Sequence, residues 1–171
     1  ASDLVFLDES GCNTDMTRRY AYSFGGSRAV DSTPLSKPKN ATILSSIQLN
    51  GTLHYTTFSG GTTVERFKRY LETDLLPHLN GNSVLVMDNM KSHHAKAVKD
   101  LLDSSGVRYI YLPPYSPDLN LIEKLRSKVK ALLRKFKART PDALPNAIQN
   151  AFHAVTVSDC SGWFRFCGYA L

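Results

Sequence analysis

Val84-Leu85-Val86-Met87-Asp88 sets four apolar residues ahead of a carboxylate, and the chain on either side of it decides the fold class. So short and continuous an apolar run reads as a buried strand that delivers Asp88 to the edge of a sheet. From about His93 to Ser105 the spacing of Ala95, Val98, Leu101 and Leu102 is helical, and Val107 to Leu112 then alternates as another strand. Strand, helix and strand in that order point to an α/β domain.

Upstream, Leu4-Val5-Phe6-Leu7-Asp8 repeats the same device, a short apolar run closed by an aspartate. Glu9 to Asn40 carries Gly, Ser, Pro and Arg and reads as loop, with a short extended piece at Arg19 to Phe24. Ala41 to Gln48 and Leu53 to Phe58 flank Asn50-Gly51, a strong hairpin signal. Val64, Phe67, Leu71, Leu75 and Leu79 predict an amphipathic helix over Thr62 to Leu79, loosened near Pro77. Downstream, Pro113-Pro114 and Ser116-Pro117 force an extended loop. A long helix follows, with Ile122, Leu125, Val129, Leu132, Leu133 and Phe136 as its apolar stripe, and Thr140-Pro141 opens the last helix. An opening meander followed by this alternation implies a mixed central sheet of about five strands flanked by helices. At 171 residues the chain reads as a single domain over 1–171 with a core of useful size.

The bulk numbers narrow the chemistry. An apolar content of 42% excludes general disorder, and no run approaches the roughly 18 apolar residues of a membrane span. Three scattered cysteines (Cys12, Cys160 and Cys167) are too few for a disulfide framework and fit a reducing, cytoplasmic setting. The net charge of +6 is moderate, but its distribution is uneven: eight basic residues and no acidic one lie between Lys124 and Arg139. Such a cluster favours a phosphate-backbone partner.

Asp8, Asp88 and Glu123 are the residues that bear chemistry. Open α/β sheets place their sites at the carboxyl ends of strands, where both aspartates are expected. Glu123, three residues after Asn120, also suits a capping box at the start of the long helix. On a helical wheel it lies off the apolar stripe, near Ser127, Lys130 and Arg134. Three carboxylates brought together repel one another unless a cation lies between them. A basic chain built around such a cluster implies divalent-metal chemistry on a polyanion, with phosphodiester cleavage foremost.

Three segments sharpen this: Phe6-Leu7-Asp8-Glu9-Ser10, Val86-Met87-Asp88-Asn89-Met90-Lys91-Ser92-His93-His94-Ala95, and Leu112-Pro113-Pro114-Tyr115-Ser116-Pro117-Asp118-Leu119-Asn120-Leu121-Ile122-Glu123. Together they resemble the catalytic core of the mariner-type DDE transposases, and most of all their bacterial insertion-sequence branch. Thirty-four residues separate Asp88 from Glu123, the gap of that group's signature, and the closing Gly162-Trp163-Phe164-Arg165-Phe166-Cys167-Gly168-Tyr169 is similar too. The resemblance implies an RNase H-like fold with Asp8, Asp88 and Glu123 as a catalytic, metal-binding triad. It also implies two Mg²⁺ or Mn²⁺ ions in the usual two-metal arrangement, acting in cleavage at transposon ends and transfer of the 3′-hydroxyl into target DNA. Lys91, His93, His94, Lys124, Arg126, Lys128, Lys130, Arg134, Lys135 and Lys137 are the expected nucleic-acid contacts. A homodimer is expected for the full-length protein on DNA, with no membrane partner. The family's N-terminal helix-turn-helix domains have no counterpart here, so the chain reads as an isolated catalytic domain. Two positions depart from the pattern, Leu121 and Arg126, where proline and tryptophan are usual. The competing readings are a decayed DNA-binding module and an RNase H-like nuclease of other substrates.

Overall fold

A computed structural model of the chain describes residues 1–18, 20–33, 35 and 37–169. Its strands are β1 (Leu4–Asn13), β2 (Asn40–Gln48), β3 (Leu53–Ser59), β4 (Val84–Met87) and β5 (Arg108–Tyr111). They form one mixed sheet in the order β3-β2-β1-β4-β5. The first three make an antiparallel meander, while β4 and β5 run parallel to β1. Gly51 turns the β2–β3 hairpin at φ +88°, and a side chain there would meet the Val157 methyl at 2.8 Å. A left-handed backbone and a crowded site both call for glycine.

β1 departs furthest from expectation, since it continues five residues past Asp8 to Asn13. Its partner β2 pairs with it as far as Asn13 opposite Asn40, a long-range pairing that no local pattern announces. β4, by contrast, pairs only with Leu4 to Leu7. Asp8 is therefore inside a strand, not at its end. What opens beside it is the crevice left where β4 stops, the position at which parallel sheets host their sites.

The α-helices are α1 (Val64–Tyr70), α2 (Lys96–Ser105), α3 (Ile122–Phe136), α4 (Ala143–His153) and α5 (Val157–Phe166). The helix expected over 62–79 is only partly regular. Thr63 caps α1 by accepting from the Arg66 N–H, but Leu71–Leu75 widens into a π-helical turn and Leu76–His78 tightens into a 3₁₀ turn. Pro77 explains this, because its ring displaces the carbonyl four residues back and it has no N–H to donate. At the C-terminal end, the Thr140 hydroxyl accepts from the Ala143 N–H at 3.2 Å. The single last helix expected there is in fact two, with α5 opened by a Thr156/Asp159 capping box. Of the expected extended piece at 19–24, Arg19 lies outside the described residues; 20–23 form no strand, and Phe24–Gly26 makes one 3₁₀ turn.

Alternation along β1 divides the core in two. Phe6 packs with Ile43, Ile47 and Val86 against α3, α4 and α5. Val5 and Leu7 pack with Leu44, Leu85 and Met87 against α1 and α2. By the same alternation Asp8 shares the face of Phe6, toward α3. Along α3, Ile122, Leu125, Val129 and Leu133 are buried, while Phe136 at the end of the expected stripe is exposed. Among the described residues no helix is long and apolar enough to cross a membrane.

Candidate active site

Three structural decisions bring the carboxylates to one place. β1 carries Asp8 past the last β4 pair, β4 ends immediately before Asp88, and a 3₁₀ turn at Pro117–Leu119 feeds α3 so that Glu123 lies in its first turn. All three line one cavity of about 510 Å³ with Asn89, Tyr115, Asn120 and Arg126. Tyr115, at its rim, is fully exposed and holds a left-handed backbone at φ +57°.

The two aspartates differ sharply in surroundings. Asp8 is only 4% exposed. Burial raises its carboxyl to about 6, with Asp88 and Glu123 adding to the rise and Arg126 and the Glu9 N–H working against it. For Asp88, burial also acts to raise the pKa. The opposing set is stronger: His93, whose Nδ1 lies 2.8 Å from Oδ1, the Met90 N–H at 3.1 Å, and the charge of Arg126. Asp88 is thereby held below the ordinary carboxylate range. Glu123 is more open, its side chain 43% exposed.

Arg126 ties the cluster together. Its Nη1 donates to Asp8 Oδ2 at 2.9 Å and to Glu123 Oε1 at 2.7 Å. Asn120 approaches the same Asp8 oxygen with its amide nitrogen at 3.5 Å. Asn120 therefore does not cap α3 with its side chain, as the capping-box reading expected; only its backbone carbonyl accepts, from the Glu123 N–H. Among the described residues, no three acidic, histidine or cysteine side chains converge tightly enough to form a ready-made metal site. Arg126 and His93 instead engage one oxygen of each of the three carboxylates. The donor set nonetheless suits a hard divalent cation, being all carboxylate oxygen. Asp8 and Glu123 already reach one cationic nitrogen in common.

The expected nucleic-acid contacts fall into groups. His93 is fully buried, stacked on Phe67 with ring centroids 4.2 Å apart, and corrects the expectation of a surface contact. Its place is behind Asp88. His94 stacks on Tyr111 and meets Asn89 Oδ1 at 2.9 Å, and the Asn89 amide in turn donates to the Leu112 carbonyl. Lys124 lies over the Phe166 ring at 3.9 Å, Lys128 pairs with Asp159, and Lys137 pairs with Asp31 at 2.6 Å. Lys91, Lys130, Arg134 and Lys135 have no acidic partner within ion-pair distance among the described residues. Lys130 and Arg134 line a second groove of about 500 Å³ with Gly11, Asn13, Gly60 and Gly61. Burial lowers the Lys130 pKa, and repulsion from Arg126 and Arg134 lowers it further. Sequence reading missed Asn120, Asn89 and Tyr115 as site-lining residues. All three are inside the quoted segments, so position in a dense motif was the signal that could have found them.

Residues 3–144 match the family described as DDE superfamily endonuclease. Among solved structures the chain is similar to a Mos1 transposase paired-end complex with its left transposon end, at TM-score 0.79 and 19% identity over 96% of this chain and 52% of that one. It is similar also to a Mos1 mariner paired-end complex with Mn, at TM-score 0.74 and 20% identity, again over 96% and 52%. The catalytic domain of Mos1 mariner transposase matches at TM-score 0.65 and 17% identity, over 96% of this chain and 76% of that one. The chain thus spans about half the length of the first transposase chains it matches. The shared architecture is the RNase H-like fold, a mixed five-stranded sheet flanked by helices. No curated protein matches the chain.

Proposed function

The chain belongs to the DDE superfamily endonucleases, and from that premise we propose that it is the catalytic domain of a transposase, cutting DNA at transposon ends and joining the freed 3′-hydroxyl to target DNA. One observation carries the reading: carboxylates from β1, the end of β4 and the start of α3 open on a single cavity, while Lys130 and Arg134 further along α3 line a second groove. Asp8, Asp88 and Glu123 would hold Mg²⁺ or Mn²⁺. Such an ion supplies Lewis-acid stabilisation of the charge that develops on phosphodiester oxygens.

The remaining roles belong to the chain's own groups. His93 keeps Asp88 ionised and fixes its rotamer from behind, as a positioning residue. Asn120, with its amide nitrogen 3.5 Å from Asp8 Oδ2, helps to orient that carboxylate. Lys130 and Arg134 would grip the backbone of the strand that enters from the α3 side. Two ends must be held for transposition, so the working unit is a homodimer on DNA in the full-length protein. The setting is the bacterial cytoplasm, on chromosomal DNA.

One observation favours a second reading, a DNA-binding copy without activity: Arg126 bridges two of the three carboxylates and offsets part of their charge. Nicking of supercoiled plasmid in Mn²⁺ separates the two. The catalytic reading expects metal-dependent nicking by the parent chain and none by Asp88→Ala. Equal behaviour of both proteins, with DNA still bound, would leave only the binding module.

A further inference from the structure

We propose that Arg126 fills the Asp8–Glu123 end of the carboxylate cluster as a built-in cation, so that the free chain takes up one divalent ion in place of a pair. This rests on the reading of the triad as a metal centre. One guanidinium nitrogen, Nη1, lies 2.9 Å from Asp8 Oδ2 and 2.7 Å from Glu123 Oε1. A cation bridging those two carboxylates would have to occupy the same space and answer the same charge. Arg126 is anchored there for a structural reason. α3 is held to the sheet by Ile122 and Leu125 on either side of Glu123, and Arg126, three residues after Glu123, follows on the neighbouring turn.

The other end of the cluster is differently disposed. Asp88 Oδ1 is taken by His93 and the Met90 N–H, while Oδ2 has no hydrogen-bond partner among the described residues. The Asp88 side chain is one-third exposed and lines the same cavity as Asp8. Among the described residues no fixed positive charge lies at hydrogen-bond distance from both of these aspartates. An incoming ion finds Asp88 open and Glu123 engaged. The three carboxylates and the one guanidinium leave two negative charges unanswered, which one divalent ion meets; removing the guanidinium leaves three, with room and charge for a second ion. Arg126 thereby sets the metal stoichiometry of the free chain.

The test counts ions and needs no turnover. Mn²⁺ binding to the folded parent chain, Arg126→Met and Arg126→Lys is measured by calorimetry, with free Mn²⁺ counted by electron paramagnetic resonance and folding checked by circular dichroism. One ion per parent chain and two per Arg126→Met chain are expected. The added site should tighten by roughly tenfold or more, the scale on which a charge at contact distance acts on its neighbour. Arg126→Lys, which keeps the charge on a shorter and unforked side chain, should fall between them in second-site affinity. A parent count other than one, or an Arg126→Met count equal to the parent's, overturns the inference. If neither protein binds Mn²⁺ at all, the metal-centre reading falls with it; if both bind one ion, only the role of Arg126 falls.

Discussion

Replacing Asp8 by asparagine should make the metal-free domain more stable, and the gain should depend on pH. Asp8 is enclosed, with Asp88 and Glu123 near it, and its carboxyl is raised from 3.8 to about 6 despite Arg126. A carboxyl that binds its proton more tightly in the folded state contributes its full share of stability below 3.8 and loses it as the pH climbs through 6. Across that span, at about 1.4 kcal/mol for each tenfold change in proton affinity, the ionised group costs the fold about 3 kcal/mol above pH 6. Asparagine is close to the protonated carboxyl in shape and charge, so Asp8→Asn should recover most of this at pH 8 and only about 0.5 kcal/mol at pH 4. In thermal unfolding, 3 kcal/mol corresponds to roughly 10 °C for a chain of this length. Urea unfolding in EDTA at the two pH values, followed by fluorescence of the lone Trp163, measures it directly. A variant less stable than the parent at pH 8, or a gain equal at both pH values, would refute the claim that Asp8 is a buried charge carried at a cost.

Three further outcomes are expected. His93→Ala should raise the pKa of Asp88, followed by NMR titration of its carboxyl carbon, since Asp88 loses the partner that opposes its burial; an unmoved titration would separate His93 from Asp88. Phe164→Ala should cost about 3–5 kcal/mol in urea unfolding, because Phe164 is fully buried and meets Phe6 edge-on at 5.6 Å. Alanine at both Lys130 and Arg134 should weaken DNA binding across all sequences and lower the slope of log K against log salt by about 1–2, with no change in sequence preference; an unchanged slope would remove the second groove from the DNA path.

The division between what was legible early and what was not follows distance along the chain. β4 was read to the residue, and the hairpin, α2 and α3 nearly so, because apolar periodicity and turn residues act within a few positions. The breakdown of regular helix before Pro77 was legible for the same local reason. β1 was read five residues short because its second half is a strand only through β2, and residues 9–13 carry no apolar run of their own.

By itself the sequence determined the fold class and named three carboxylates by their place in dense motifs, since buried strands and tight turns need particular residues in a particular order. Only the tertiary structure decided which charge answers which. The eight basic residues from Lys124 to Arg139 look alike as a string, yet one bridges two carboxylates, others pair with Asp159 and Asp31, and two line a groove with no acid opposite. An ion pair such as Arg126 with Asp8 joins positions 118 residues apart. Its strength depends on burial and contact distance, which exist only once the sheet and α3 have packed.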